Sequence, residues 1–514
     1  MPFIDIYRFK LDNYDLDIDD IKFGELKKAN NGVIKTSKSK DIETISLDNI
    51  YSYDYLSGNK NIKNKYYNFY LNHSAKPKKD NYIYLNLKYN LDEKLHTTKL
   101  VDNVLQKQKE KPFFIENFEY LDRNNTLGFV KKILISDDEK IIIFGDYHGS
   151  FHTFYRNLLR LHLLGIIDLE NYTINPKYRL LFLGDIVDRG QYALEILTIL
   201  FEFMIRDNEY RLIINRGNHE ELLINNRDGF RREIINKHSE SLWININKIF
   251  VTFPSAHILI NKNSNTKIWC SHGFVPIIND ETEYFYKSLK DFIIDDNIYL
   301  MTDNIISTQI RWNDPKIKGR DFSRGSNIYL VDNTTTRKYL ELFDYIIRGH
   351  NDNYSNAFII KKGEILDFTK ITNILSEITN PMFKYYEFDI FTIEENPKPY
   401  QIEIKTNKPI ITINLKENNK DFLNVLTIST NTDLLRNLIA DSFILLRFDD
   451  DVNNILPSPT EVYSYPINID FINKKPQEFI TRKEKIDFES LLSDNDSDEH
   501  LEKLAFEMAN DVLN

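Results

Sequence analysis

The chain has 514 residues, 42 % of them hydrophobic, with a formal net charge of −11 and a single cysteine. That length buries a full core with ease and suggests two or three domains. The acidic balance argues against a general nucleic-acid coat protein while allowing a local basic patch. A lone cysteine excludes an intrachain disulfide, so a reducing compartment is expected.

The N-terminus, MPFIDIYRFKLDNYD, lacks the apolar core of a secretory signal. Residues 1–112 are rich in Asn, Lys, Tyr and Asp and form an N-terminal region of unknown role. Within it, Lys60–Lys79 is basic with interleaved tyrosines. Such a stretch suits either a phosphate- or nucleic-acid-binding surface or a solvated segment. The run Tyr82–Tyr89 alternates like a half-buried strand, so a small β-containing domain is expected. Across residues 113–385, short apolar runs alternate with helical patterns, the mark of an α/β layer architecture. Residues 386–514 return to short β-like runs such as Ile410–Leu415 and end in an acidic stretch, Asp487–Leu513, read as a solvated helix or disordered tail. They form a C-terminal accessory region, and both terminal regions could meet partner proteins. The longest uncharged apolar stretch, Ile249–Ile260, contains Pro254 and His257 and is too short to cross a bilayer. A soluble, cytoplasmic protein without a membrane partner is expected.

The chemistry lies in the middle region and repeats one pattern. Five times an apolar run leads into a tight, polar turn. Ile141–Phe144 precedes Gly145-Asp146-Tyr147-His148-Gly149, and Leu180–Leu183 precedes Gly184-Asp185-Ile186-Val187-Asp188-Arg189-Gly190. Leu212–Asn215 precedes Arg216-Gly217-Asn218-His219-Glu220, Ile268–Cys270 precedes Ser271-His272-Gly273, and Tyr345–Ile347 precedes Arg348-Gly349-His350. Buried strands with polar groups just past their carboxyl ends are how α/β proteins build sites. Asp, His and Asn side chains suit divalent ions such as Mn, Fe, Zn or Mg. Asp185 sits mid-set with a carboxylate able to bridge two ions, and nearby arginines suit phosphate oxygens.

These five motifs, in this order, resemble the metallophosphoesterase superfamily, and within it the phosphoprotein phosphatase family of Ser/Thr phosphatases. Further segments extend the resemblance: Arg311-Trp312-Asn313-Asp314-Pro315, Arg324-Gly325, Asn226-Arg227-Asp228-Gly229-Phe230, and Leu242-Trp243 followed by Phe250 and Pro254. It covers residues 113–385 and neither end. The resemblance implies a calcineurin-like α/β fold, a β-sandwich flanked by helices, with extra terminal regions. It implies a first metal held by Asp146, His148 and bridging Asp185, and a second held by Asp185, Asn218, His272 and His350. His219 would be the general acid, oriented by Asp188, with Arg189, Arg227 and Arg324 gripping phosphate. The two ions, with manganese favoured in vitro, would activate a bridging hydroxide that attacks phosphorus in line.

The pattern also departs from the family. Arg227 is displaced by one position, Phe274 replaces a second glycine after Gly273, and Arg348-Gly349-His350 stands for an RAH. The family's SAPNYCG loop is not recognisable, and Phe368–Tyr386 occupies its place in the sequence. Read alone, Asp146 would be an ordinary turn residue, Cys270 a buried strand residue, Glu220 a structural group beside the ligands, and Trp312 a core residue. The resemblance implies a phosphoprotein substrate, and the missing loop bears on that preference more than on the phosphoester chemistry. A dinucleoside polyphosphate or RNA-end phosphate, handled on the same scaffold, is the alternative. An inactive scaffold would lack a ligand or His219, and all those positions are filled.

Overall fold

The computed structural model describes residues 91–111, 113–116, 128–150, 153–154, 157–158, 161–162, 164–169, 171–190, 192–207, 209–318, 325–350, 357–367, 422–430 and 441–448, together with the strand segments 3–9, 26–28, 33–36, 45–46, 383–385, 391–394, 401–404 and 411–414. Lys60–Lys79, Tyr82–Tyr89, Arg324 and the acidic stretch Asp487–Leu513 lie outside the described residues, as does most of Phe368–Tyr386.

The strands of the two large sheets are, in chain order, β1 (Phe3–Phe9), β2 (Gly128–Ile135), β3 (Lys140–Phe144), β4 (Tyr178–Phe182), β5 (Leu212–Ile214), β6 (Ala256–Asn261), β7 (Thr266–Ser271), β8 (Tyr299–Thr302), β9 (Tyr345–Arg348), β10 (Ala357–Lys361), β11 (Glu364–Asp367), β12 (Phe383–Tyr385), β13 (Ile411–Asn414), β14 (Phe422–Ile428) and β15 (Asp441–Arg447). The helices are α1 (Leu91–Lys109), α2 (Ala193–Arg206), α3 (Leu222–Arg227), α4 (Phe230–Lys237), α5 (Glu240–Val251), α6 (Glu283–Ile294), α7 (Asn304–Trp312) and α8 (Asn333–Leu340). One sheet runs β5-β4-β3-β15-β1-β13-β12 and the other β8-β2-β6-β7-β9-β14-β10-β11.

The apolar runs are continuous because the strands are covered on both faces. In β3, Ile141 and Ile143 point into the core shared by the two sheets, with Leu181, Cys270, Ile347 and Ile444. Ile142 and Phe144 point the other way, into a second core built with Leu197, Phe201, Trp243 and Phe250 of α2 and α5. The opposite face of the second sheet packs Ile258, Trp269 and Ile346 against Phe285 and Leu289 of α6 and Ile306 and Ile310 of α7. The result is a helix–sheet–sheet–helix sandwich. Each fully buried Ile or Leu contributes about 1.5–3 kcal/mol. Helix starts are fixed locally: Ser239, Asp303 and Asp332 accept from Leu242 N, Ile306 N and Thr335 N at 3.3, 2.8 and 2.7 Å.

Strands β3, β4 and β5 are mutually parallel, as are β7, β9 and β14. All five motif-bearing strands therefore deliver their turns past carboxyl ends, where ligands gather in such sheets. The pairings cross both boundaries expected at 112/113 and 385/386. β1 lies between β15 and β13, β15 pairs antiparallel with β3, and β14 pairs with β9. α1 packs on α2 and α5. The sheets that carry the motifs thus recruit strands from both ends of the chain. No helix among the described residues is long and apolar enough to cross a membrane.

Candidate metal centre

At the end of β3, Asp146 is buried; its Oδ1 accepts from His350 N at 3.1 Å, and its Oδ2 makes no hydrogen bond. Two residues on, His148 turns back with φ +46°. Its Nδ1 donates to Val187 O at 3.1 Å, because a carbonyl only accepts. Nε2 then carries the lone pair, and it faces Asp185 Oδ2 at 3.4 Å and Asp146 Oδ2 at 3.9 Å.

Asp185 stands at the centre. His272 Nε2 approaches its Oδ2 at 3.0 Å and Asn218 Oδ1 at 2.9 Å, while His272 Nδ1 is buried without a hydrogen bond. His148, Asp185 and His219 bring donor atoms within 4.8 Å of one another, and so do Asp146, Asp185 and His272. Asp185 is common to both groups, as a bridging carboxylate must be. His350 closes the site, its ring 5.1 Å from that of His272. Its Nδ1 bonds Asp314 Oδ1 at 3.1 Å, and Arg348 holds the same oxygen at 2.6 Å. Orienting a ligand ring through its other nitrogen is a common feature of metal sites.

The backbone is strained where these side chains converge. Among the described residues, His148, Asp185, Asp188, Arg189 and His350 all have positive φ. Such conformations cost of order 1–3 kcal/mol each and cluster at functional sites. Gly184, at φ +107°, passes so close to Gly217 that a Cβ would lie 2.5 Å from its nitrogen. That contact joins the Asp185 turn to the Asn218 turn. Glu220 locks the same junction: its carboxylate accepts from Asp185 N, Ile186 N and Gly217 N, each at 2.8 Å, and from Val187 N at 3.3 Å.

The residues fit a pair of cations. Asp146 Oδ2 and His272 Nδ1 are orphaned buried polar atoms, which is rare unless a partner is to be added. Burial raises the carboxyl pKa of Asp146, and burial with the neighbouring Asp185 pushes Glu220 up to about 7. Burial also pulls His272 down to about 4, leaving a neutral imidazole of the form that a cation can take as a ligand. Concentrated negative charge beside neutral nitrogen donors is what a divalent ion compensates.

Beside this cluster, His219 Nδ1 donates to Asp188 Oδ2 at 2.8 Å, and His219 N donates to Asp185 Oδ1 at 3.0 Å. Nε2 faces Arg189 Nη2 at 3.4 Å. Asp188 accepts from Phe230 N at 2.9 Å; burial and then Asp228 hold its carboxyl well above the usual range. The structure thus brings together Asp146, His148, Asp185, Asn218, His272, His350, His219, Asp188 and Arg189. Arg227 is exposed at the end of α3, where its charge acts on Asp228.

Some partners escaped the sequence. Asp314, part of the Arg311–Pro315 segment, meets His350 and Arg348 with its carboxylate. Asp228 lies 3.7 Å from His219 Nδ1. Trp312 is half-buried, donates to Glu221 Oε1 at 2.8 Å and sets its ring edge-on to His350. Phe274 packs into the core, and Gly273 needs its missing side chain because a Cβ would lie 2.4 Å from Arg311 carbon. Beside the Asp146 turn, the segment just past β14 closes in: Gly145 N donates to Thr430 Oγ1 at 2.7 Å, and Asp146 bridges Ser429. No local pattern announces these pairings, which span up to 285 residues.

Residues 139–354 match the family model described as calcineurin-like phosphoesterase. The chain is 31 % identical over 191 residues to the human serine/threonine-protein phosphatase with EF-hands 2, covering 36 % of this chain and 23 % of that one. It is 28 % identical over 315 residues to the putative serine/threonine-protein phosphatase C27B7.6 of Caenorhabditis elegans, covering 58 % and 62 %. A solved serine/threonine phosphatase from Saccharomyces cerevisiae, with similarity to human phosphatase PP5, aligns over 51 % of this chain and 73 % of its own at 20 % identity and a TM-score of 0.37. The chain spans less than two thirds of the length of these curated relatives, 23 % of one and 62 % of the other.

Proposed function

We propose that the calcineurin-like phosphoesterase domain of this chain hydrolyses phosphomonoesters with two divalent ions, and that its substrates are phosphoserine and phosphothreonine proteins. The observation that carries the reading is Asp185, whose carboxylate belongs to two of the three groups of candidate ligands among the described residues, the third being Asp188, His219 and Asp228. Asp146 and His148 would complete one ion's protein ligands, and Asn218, His272 and His350 the other's. When bound, such ions neutralise phosphoryl oxygens and lower the pKa of water to near neutrality.

The chain's own groups have separable tasks. Arg189, whose Nη2 lies 3.4 Å from His219 Nε2, would bind a non-bridging phosphate oxygen and keep the phosphorus in line. His219, charged by protonation at Nε2, would pass that proton to the departing alkoxide oxygen. Asp188, 2.8 Å from Nδ1, fixes the tautomer and stabilises the imidazolium. The buried walls around Asp185 keep bulk water from competing. Arg227 and Arg324 remain candidates for further phosphate contact. The phosphoprotein preference rests on the names of the relatives.

The test is manganese-stimulated hydrolysis of p-nitrophenyl phosphate and of a phosphothreonine peptide, with Asp185→Asn as control. Turnover of both, lost in the control, is expected. Turnover of the small ester and of nucleotides without the peptide would move the substrate class to nucleotides or RNA ends. Failure on every ester by protein that binds manganese would overturn the reading.

A further inference from the structure

Away from the metal centre, a cavity of about 250 Å³ lies where the ends of α1 and α2 meet β2 and β8. Phe113, Phe129 and Tyr299 form an aromatic wall, with ring centroids 3.9 to 5.7 Å apart. Lys131 of β2 also lines the cavity and is only 8 % exposed. Register places it between His257 of β6 and Tyr299 of β8. Its Nζ lies 2.9 Å from the centroid of the Tyr210 ring and 5.5 Å from that of Tyr299. Among the described residues it makes no hydrogen bond and no ion pair, so its close contacts are ring faces, with the Asp207 charge acting only from a distance.

A buried ammonium held by rings alone is costly, and a methionine of similar reach would fill the space without that cost. The neighbouring lysine Lys107 differs, since its Nζ donates to the carbonyls of Met204 and Asp207 at 2.9 and 2.8 Å. Lys131 therefore brings an ammonium without a hydrogen-bond acceptor to a pocket lined by Phe113, Phe129, Met204 and Tyr299 and, more polar, by Lys107, Lys111 and Asp207. An anion entering there would gain a charge-assisted hydrogen bond in a low-dielectric setting. Size limits the rest of the ligand: a cavity of roughly 150 Å³ accepts benzene, so this one holds a ring and one small substituent.

We propose that this cavity is a binding site for a small monoanion bearing one aromatic ring, an aryl carboxylate, with the carboxylate on Lys131 Nζ and the ring against the wall formed by Phe113, Phe129 and Tyr299. Burial pulls the Lys131 pKa down to about 7; the charges of Lys111 and Arg179 act in the same sense and Asp207 opposes them. Lys107 and the phenols of Tyr210 and Tyr299 complete the titratable groups that line the pocket with it. Carboxylate binding favours the ammonium form, so the complex takes up a proton and weakens as pH rises above 7.

The experiment is a calorimetric titration of the manganese-loaded full chain with benzoate, repeated with benzamide and with Lys131→Met. We expect one benzoate per chain at this pocket, with Kd on the order of 10⁻⁴ M. Affinity should fall by up to about tenfold per pH unit above 7. Lys131→Met should lose binding at least tenfold while its thermal midpoint stays level or rises. Benzoate held at the metal centre would persist in Lys131→Met and would overturn the proposal. So would equal affinity for uncharged benzamide, or no binding at all. The pH dependence, read on the unmutated chain, decides the matter should the variant misfold.

Discussion

Changing Glu220 to Gln replaces one carboxylate oxygen by an amide NH₂ at the junction of two ligand-bearing turns. The parent side chain satisfies four backbone N–H groups, two on each oxygen: Asp185 N and Gly217 N on Oε2, Ile186 N and Val187 N on Oε1. Glutamine has one acceptor oxygen, so either pair of donors is left facing another donor. Each buried unpaired N–H costs about 1–3 kcal/mol, which gives a loss of about 2–6 kcal/mol against a typical total of about 5–15. Because the lost bonds position Asp185 and Gly217, metal affinity should fall with stability. The assay is urea unfolding of manganese-loaded protein, beside the manganese dependence of p-nitrophenyl phosphate hydrolysis. A stability loss under about 1 kcal/mol with unchanged metal affinity would refute the claim that Glu220 locks the two turns together.

Three further outcomes are expected. His219→Ala should retain manganese while turnover drops roughly 10²–10⁴-fold, and an unchanged rate would place the acid elsewhere. Asp314→Ala should weaken metal binding about 10–100-fold, since His350 and Arg348 lose their shared anchor; unchanged affinity by manganese titration would remove Asp314 from the site. The third concerns pH and metal together. Glu220 rises from 4.5 to about 7 on folding, so between these values the metal-free folded chain holds a proton that the unfolded chain has released. Metal-free stability should therefore fall as pH rises through that window, and the raised Asp146 and Asp188 act in the same direction. Cations bind the deprotonated form, so manganese should raise the thermal midpoint more near pH 7 than near pH 5; the reverse order would contradict this electrostatic account.

The sequence by itself picked out the candidate ligands and the turns that present them. Asp146, His148, Asp185, Asn218, His272 and His350 were legible because each lies in a Gly-containing turn within four residues of a short apolar run that reads as a buried strand. Glycines at positions such as Gly184 mark the close approach of one backbone to another. That information is local: residue type, neighbour and period all lie within a few positions.

Tertiary structure decided which strands complete the sheets and which groups support the ligands. β1, β14 and β15 lie in the terminal regions to which the sequence assigned no role; β15 gains one by pairing with β3, β14 by pairing with β9, and β1 by lying between β15 and β13. The Asp314–His350 contact, the four donors on Glu220 and the isolation of Lys131 likewise arise from chain segments far apart in sequence. Hydrogen bonds and desolvation act through space, so a residue's partners become visible only once the layers have closed around it.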